Sequence, residues 1–113
     1  MNTTIDFELH NRHCEALARQ LIQETVGALD QVGIRESEKK REVLGAILFR
    51  VCAVLDGSAH GGSMDGQPIA PFVGFYLGRD IDRLLVPEDG SAMHEYINDL
   101  LDEHFGGPAY RAV

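Results

Sequence analysis

The residues whose types could support chemistry are concentrated in one glycine-rich segment, residues 56–71. Two carboxylates, a hydroxyl and an imidazole lie close together in it: Asp56, Ser58, His60 and Asp65. An aspartate that orients a histidine ring suits general acid–base catalysis, so Asp56 and His60 are a candidate pair. Long irregular loops are uncommon in compact domains and are usually functional or mobile. The segment is therefore a candidate loop for binding a ligand or a partner.

A purely structural interpretation of this loop stays open beside the functional one. Asp56-Gly57 is typical of a helix end and Asp65-Gly66 of a turn, where the backbone only has to change direction. Read as a calcium loop from Asp56, the segment has histidine at the fifth position and Gln67 instead of glutamate at the twelfth. It also lacks the lysine of a phosphate-binding loop. We predict neither a calcium nor a phosphate site here.

A second group that could do chemistry consists of His10, His13 and Cys14. On a helix, His10 shares a face with either of the other two, and such spacing can supply two zinc ligands. Further ligands would have to come from distant segments: His94, His104 or Glu103. Cys14 also falls on an apolar stripe, which favours packing over metal binding. We therefore predict no metal site and no other cofactor.

The charge distribution excludes some partners and suggests another. The formal net charge is −8, which disfavours nucleic acids because their recognition depends on Lys and Arg at the phosphates. Residues 79–104 hold eight acidic residues and two arginines, a local net charge of −6. This segment is either a solvated surface or a face that docks a basic protein. Three carboxylates represent the candidate partner-binding face: Asp99, Asp102 and Glu103.

Catalytic signatures and targeting signals are both missing from the sequence. It contains no dinucleotide-binding glycine pattern, Walker lysine, HExxH or GxSxG, which disfavours an enzyme without excluding one. The first six residues lack the basic start and apolar run of a signal peptide, so we expect a cytoplasmic protein. Cys14 and Cys52 are too few for a disulfide framework, and we expect buried free thiols.

The elements that must position these residues are mainly helices. Apolar residues recur at helical spacing in a first helix, residues 4–32, for which Thr3 or Thr4 is the expected cap. A second helix, residues 37–56, follows a short connection, so the two form an antiparallel hairpin. Ser91 is the expected cap of a C-terminal helix over residues 91–105.

Residues 72–86 allow two interpretations. The aromatic and β-branched run at 72–77, a turn at 78–80 and a return strand at 81–86 predict a β-hairpin. Apolar residues here also fit helical spacing, but Gly74 and Gly78 argue against a helix. We favour the hairpin, which gives a single domain over residues 1–113. Its fold class is mostly helical α+β, with an antiparallel helical hairpin packed against a short β-hairpin and a C-terminal helix.

The second helix is the most apolar element and should be the most covered. Between Val43 and Leu55 only Gly45 and Arg50 are not apolar, yet the run is too short to span a bilayer. Arg50 needs either an exposed strip or a carboxylate partner, and we favour an ion pair. Gly27 and Gly45 stand at similar heights in the two helices and suggest close approach of the backbones. If the helix is apolar all round, a homodimer is one way to cover it.

Two functional classes follow. The first is a small acidic cytoplasmic protein that binds another protein, as an accessory, inhibitor or immunity-type factor. Its basis is the −6 segment at 79–104 together with the missing catalytic motifs. The alternative is a small ligand-binding domain or enzyme that uses the loop at 56–71. No membrane association is expected from either.

Overall fold

The computed structural model describes residues 2–88 and 92–106 and shows a mostly helical α+β fold. Its elements in chain order are β1 (Asn2–Ile5), α1 (Phe7–Gln31), α2 (Ser37–Leu55), β2 (Ser63–Met64), β3 (Gln67–Pro68), β4 (Phe75–Leu77), β5 (Asp80–Val86) and α3 (Glu95–Phe105). The predicted helical hairpin, β-hairpin and C-terminal helix are thereby confirmed. None of the helices in the described ranges is long and apolar enough to cross a membrane.

The start of the chain differs from the prediction. Thr3 and Thr4 do not cap α1; they belong to β1, which pairs in parallel with β5. The cap is Asp6, whose Oδ1 accepts a hydrogen bond from the backbone N–H of Leu9 at 3.0 Å. Aspartate is a favourable N-cap residue. Pairing with β5 gives the backbone groups of residues 2–5 hydrogen-bond partners, which they would lack at the start of a helix.

The sheet has the order β1-β5-β4, with β5 in the centre. β4 and β5 form the predicted antiparallel hairpin, in which Phe75 is opposite Leu85. Leu85 is fully buried, whereas β1 is largely exposed and the three residues of β4 are half-buried or exposed. The sheet packs against α1 through Phe75. The centroid of the Phe75 ring lies 5.5 Å from that of the His10 ring and 5.2 Å from that of the His13 ring.

One core lies among the three helices. It is formed by Cys14, Ala18, Ile22, Leu44, Leu48, Cys52, Met93, Ile97, Leu100 and Leu101. The buried residues of α1 recur at positions 10, 14, 18 and 22. Those of α2 recur at 44, 48 and 52, and Ala53 is buried next to the last of them. Both cysteines are buried thiols outside any disulfide, as predicted.

The expectation that α2 is the most covered element is wrong. α2 buries Leu44, Leu48 and Cys52, but on its other side Ile47 is 54% and Val51 is 44% exposed. The sheet packs on α1 instead of closing over α2, so the core covers α2 from one side only. Arg50 is exposed on this outer side, and no described carboxylate forms a salt bridge with it, so the expected ion pair is also not formed.

The two helical glycines do not bring α1 and α2 together. A Cβ at Gly27 would meet nothing within 4 Å, because this position faces solvent. A Cβ at Gly45 would lie 2.6 Å from the Arg41 guanidinium and 3.8 Å from Leu101 of α3. Gly45 therefore makes room for an arginine and for α3, not for α1.

The loop at 56–71 has more regular structure than its composition suggests. β2 and β3 form a small antiparallel hairpin. Its turn is Asp65-Gly66, and both residues have positive φ, 52° and 79°, as a tight two-residue hairpin turn requires. At Gly57, φ is 83° and a Cβ would lie 2.7 Å from the Pro71 carbonyl oxygen. The two ends of the loop are thus in close backbone contact.

Candidate functional site

Asp56 is the one residue of the predicted loop whose side chain is buried in a network of hydrogen bonds. It is 3% exposed and follows the last residue of α2. Its Oδ1 accepts a hydrogen bond from the backbone N–H of Ser58 at 2.9 Å. Its Oδ2 accepts two from His94, one from the backbone N–H at 3.0 Å and one from ring Nδ1–H at 2.6 Å. The carboxylate therefore joins the end of α2 to the start of α3.

The hydrogen bonds keep Asp56 ionised although it is buried. Burial by itself raises the pKa of this carboxyl, but the bonds from His94 and Ser58 together bring the pKa below its ordinary value. The His94 ring also meets Phe49 edge-on, with 5.1 Å between ring centroids. A carboxylate that fixes Nδ1 of a histidine leaves Nε2 oriented for acid–base work or for a hydrogen bond.

Sequence reasoning paired Asp56 with the wrong histidine. His60 is exposed, and its Nδ1 accepts a hydrogen bond from the backbone N–H of Gly62 at 2.9 Å. Ser58 contributes its backbone to Asp56, and Asp65 lies in the β2–β3 turn. These contacts shape the loop, and they are what the structural interpretation of it predicts. That the loop binds a ligand or partner stays a prediction.

His94 was missed as the partner because it lies 38 residues further along the chain. Its position in the sequence suggested only a distant zinc ligand. No local spacing pattern links it to Asp56. The predicted cap of that helix, Ser91, lies outside the described residues, and His94 occupies the position before α3 begins.

A groove opens beside Asp56. It has a volume of about 520 Å³ and is lined by Asp56, Gly57, Ala70, Pro71, Phe72, Val86, Pro87 and Glu88. Most of this lining is apolar, and the Phe72 side chain is 58% exposed. The Asp56 oxygens are already occupied by His94 and Ser58, so the groove offers shape and apolar surface more than free polar groups.

His10, His13 and Cys14 do not converge on a metal position. His10 is buried, and its Nε2–H donates to the Val73 carbonyl at 2.7 Å. Its Nδ1 then accepts from the Cys14 thiol at 3.6 Å. His13 donates from Nδ1 to the Leu9 carbonyl at 2.8 Å. Within residues 2–88 and 92–106, no group of three His, Cys, Asp or Glu residues could hold a metal ion.

The surroundings of Cys52 make its thiol unreactive. Burial, together with the nearby Asp56 and Cys14, raises the pKa of the Cys52 thiol to about 11. A thiolate is the reactive form of cysteine, so Cys52 contributes a small apolar side chain to the core and no chemistry.

The three carboxylates of the predicted acidic face are in different situations. Asp102 accepts from Arg41 Nε at 2.9 Å, and Glu103 accepts from both terminal nitrogens of Arg19 at 3.0 and 3.2 Å. These pairs connect α3 to α2 and to α1. Asp99 is exposed and lines a shallow pocket near the start of α1. Partner binding by this face stays a prediction, but two of its charges are balanced within the chain.

The outer side of α2 forms the most distinctive surface among the described residues. Four apolar side chains lie on it, which we call the apolar stripe: Ile47, Val51, Val54 and Leu55. Between 38% and 54% of each residue is exposed. Their spacing of three and four residues places them along one side of the helix. Isolated exposed apolar residues are ordinary, whereas a contiguous apolar group of this kind is a candidate contact surface.

Comparison with known proteins adds no relative. No protein-family model, no curated protein and no solved structure matches the chain.

Proposed function

We propose that this chain is a small protein-binding domain and that the apolar stripe of α2 is the surface that meets its partner. The exposure of Ile47, Val51, Val54 and Leu55 on one side of α2 is the observation that carries the proposal. A helix that is apolar on nearly all sides is normally covered on all of them. Here the fold covers one side, and a partner would cover the other.

Covering the stripe contributes part of the energy that specific binding requires. Complete burial of a Val, Leu or Ile side chain contributes about 1.5–3 kcal/mol. Each of the four residues has roughly half of that still to gain, so the stripe alone contributes about 3–6 kcal/mol before the cost of association. Apolar residues at the centre of an interface commonly provide most of its binding energy.

The charges around the stripe describe the partner further. No acidic residue occurs between Val43 and Leu55, and Arg50 is exposed among the stripe residues. A basic partner is therefore better suited to α3, where Asp99 keeps an exposed carboxylate, than to this side of α2. We propose an accessory, inhibitor or immunity-type role in the cytoplasm, where the free thiols of Cys14 and Cys52 would stay reduced.

The proposal is tested by measuring whether a partner shields the stripe. In a Val51→Cys variant the new thiol is exposed, while the two native thiols are buried and unreactive. We expect an extract of the producing cells, or concentrated protein, to slow its labelling by a maleimide at least tenfold relative to dilute purified protein. Ala28→Cys, on the exposed side of α1, is the matched control and should label at one rate throughout. Equal rates for Val51→Cys under all three conditions would contradict the proposal.

A further inference from the structure

We propose that the partner of the apolar stripe is a second copy of this chain, packed stripe against stripe across a twofold axis. This inference rests on the proposed function and names the partner. In such a contact each residue meets the same surface on the other copy, so one stripe can satisfy both chains. Two observations favour this occupant: the spacing of the stripe and the distribution of charge.

The geometry of the stripe suits a helix of the same kind. Ile47, Val51 and Val54 follow one another at intervals of four and three residues, which is the spacing of a helix–helix seam. An antiparallel arrangement of the two α2 helices also places the positive end of one helix dipole beside the negative end of the other. Val43, half-buried at the same side, extends the seam by one turn.

The charge distribution makes this side the one where two such chains can approach. The net charge of −8 repels a second copy from most of the surface. The helix from Val43 to Leu55 carries no carboxylate, and its only charge is that of Arg50. Bringing two stripes together therefore avoids the repulsion between acidic groups that contacts through α3 would create.

The experiment is sedimentation equilibrium of the purified chain with two charge variants. We expect the mass of wild type to rise from 12.5 kDa towards twice that value as the concentration increases, and to fall again on dilution. Ile47→Glu should raise the dimer Kd at least tenfold, because it buries one carboxylate from each copy in an apolar seam that cannot hydrate it. Glu favours helix, and Ile47 is half exposed, so the variant should keep its fold by circular dichroism. Ala28→Glu adds the same charge elsewhere and should leave the Kd unchanged.

Two results would overturn this inference. One is a wild-type chain that stays at the monomer mass of 12.5 kDa up to the highest soluble concentration. The other is a dimer whose Kd responds neither to Ile47→Glu nor to Val54→Glu, which would place the contact on another surface. A monomeric chain whose Val51→Cys thiol is still shielded by cell extract would contradict only the second copy and leave the proposed function standing.

Discussion

At the scale of single residues, Asp56 contributes more to the stability of the fold than its position at a helix end suggests. Its carboxylate is buried and accepts three hydrogen bonds, two of them from His94. Hydrogen bonds to a charged group contribute about 1.5–3 kcal/mol each, and a buried charge without partners is costly. The bonds thus favour both the ionised state and the packing of α3 beside the end of α2.

We predict that Asp56→Asn lowers the free energy of unfolding by about 2–3 kcal/mol at neutral pH, because an amide cannot accept from all three donors. The folded-state pKa of Asp56 is depressed, so its contribution is complete above the unfolded-state pKa of about 3.9. It is lost as the pH falls through the lower folded-state pKa. Urea unfolding of both proteins over a pH series measures this difference.

Asp65→Asn is the control for this prediction. Asp65 lies in an exposed turn at φ 52°, a conformation that asparagine adopts as readily, so we expect almost no change. A stability difference for Asp56→Asn that stays constant as the solution is acidified would show that the charge of Asp56 is not the cause.

A pair of glycines provides a second prediction at this scale. Gly27→Ala should raise the free energy of unfolding by about 0.5–1 kcal/mol, because the position is helical, exposed and unobstructed. Gly57→Ala should lower it by at least about 1 kcal/mol, since φ is 83° and the new Cβ would meet the Pro71 carbonyl. Urea denaturation gives both values, and a stabilising Gly57→Ala would show that the loop ends are not in contact.

At the scale of elements, α2 is a helix with two different apolar sides. Leu48 is 4% exposed and packs in the core, whereas the neighbouring Ile47 is 54% exposed. The two residues are similar in size and adjacent in sequence. Their difference arises from where α1 and α3 lie, because the core helices cover only one side of α2.

We predict a large difference between two truncations on α2 when the chain is dilute enough to be monomeric. Leu48→Ala should lower the free energy of unfolding by about 2–4 kcal/mol, because it leaves a cavity in the core. Ile47→Ala should lower it by less than about 1 kcal/mol, because half of the side chain is already in water. Thermal or urea unfolding measures both, and equal losses would mean that the stripe is covered within the monomer.

The sheet illustrates how elements depend on one another. β1 is mostly exposed and has few apolar residues, yet it forms because β5 offers an open edge beside it. β5 in turn is anchored by the fully buried Leu85. The hairpin of β4 and β5 was foreseeable from its aromatic and β-branched residues and from Gly78 at the turn, because these signals are local.

At the scale of the whole molecule, the chain is open on one side. The sheet lies against α1, and α3 packs on both α1 and α2, whereas the outer side of α2 is left to solvent. This open side is the basis of the proposed monomer–dimer equilibrium. Arg19 and Arg41 also join the helices, because they form salt bridges with two carboxylates of α3, Glu103 and Asp102. These carboxylates are therefore neutralised within the chain, although the sequence alone suggests that they are available to a partner.

The order of residues by itself determined the three helices, the β-hairpin, the buried thiols and the end of α2 at Asp56-Gly57. Each of these depends on periodicity or turn chemistry within a few residues, which is readable without knowing what lies nearby. The same local reasoning recognised Asp56 as unusual but could supply only a neighbouring histidine for it.

Only the tertiary structure decided which distant surfaces meet. The contact between Asp56 and His94, the pairing of β1 with β5 and the exposed side of α2 all join or separate residues far apart in the chain. An apolar pattern shows that a helix has to be covered, but not by which element or from which side. That choice depends on how all elements pack at once, and here it leaves the apolar stripe of α2 uncovered.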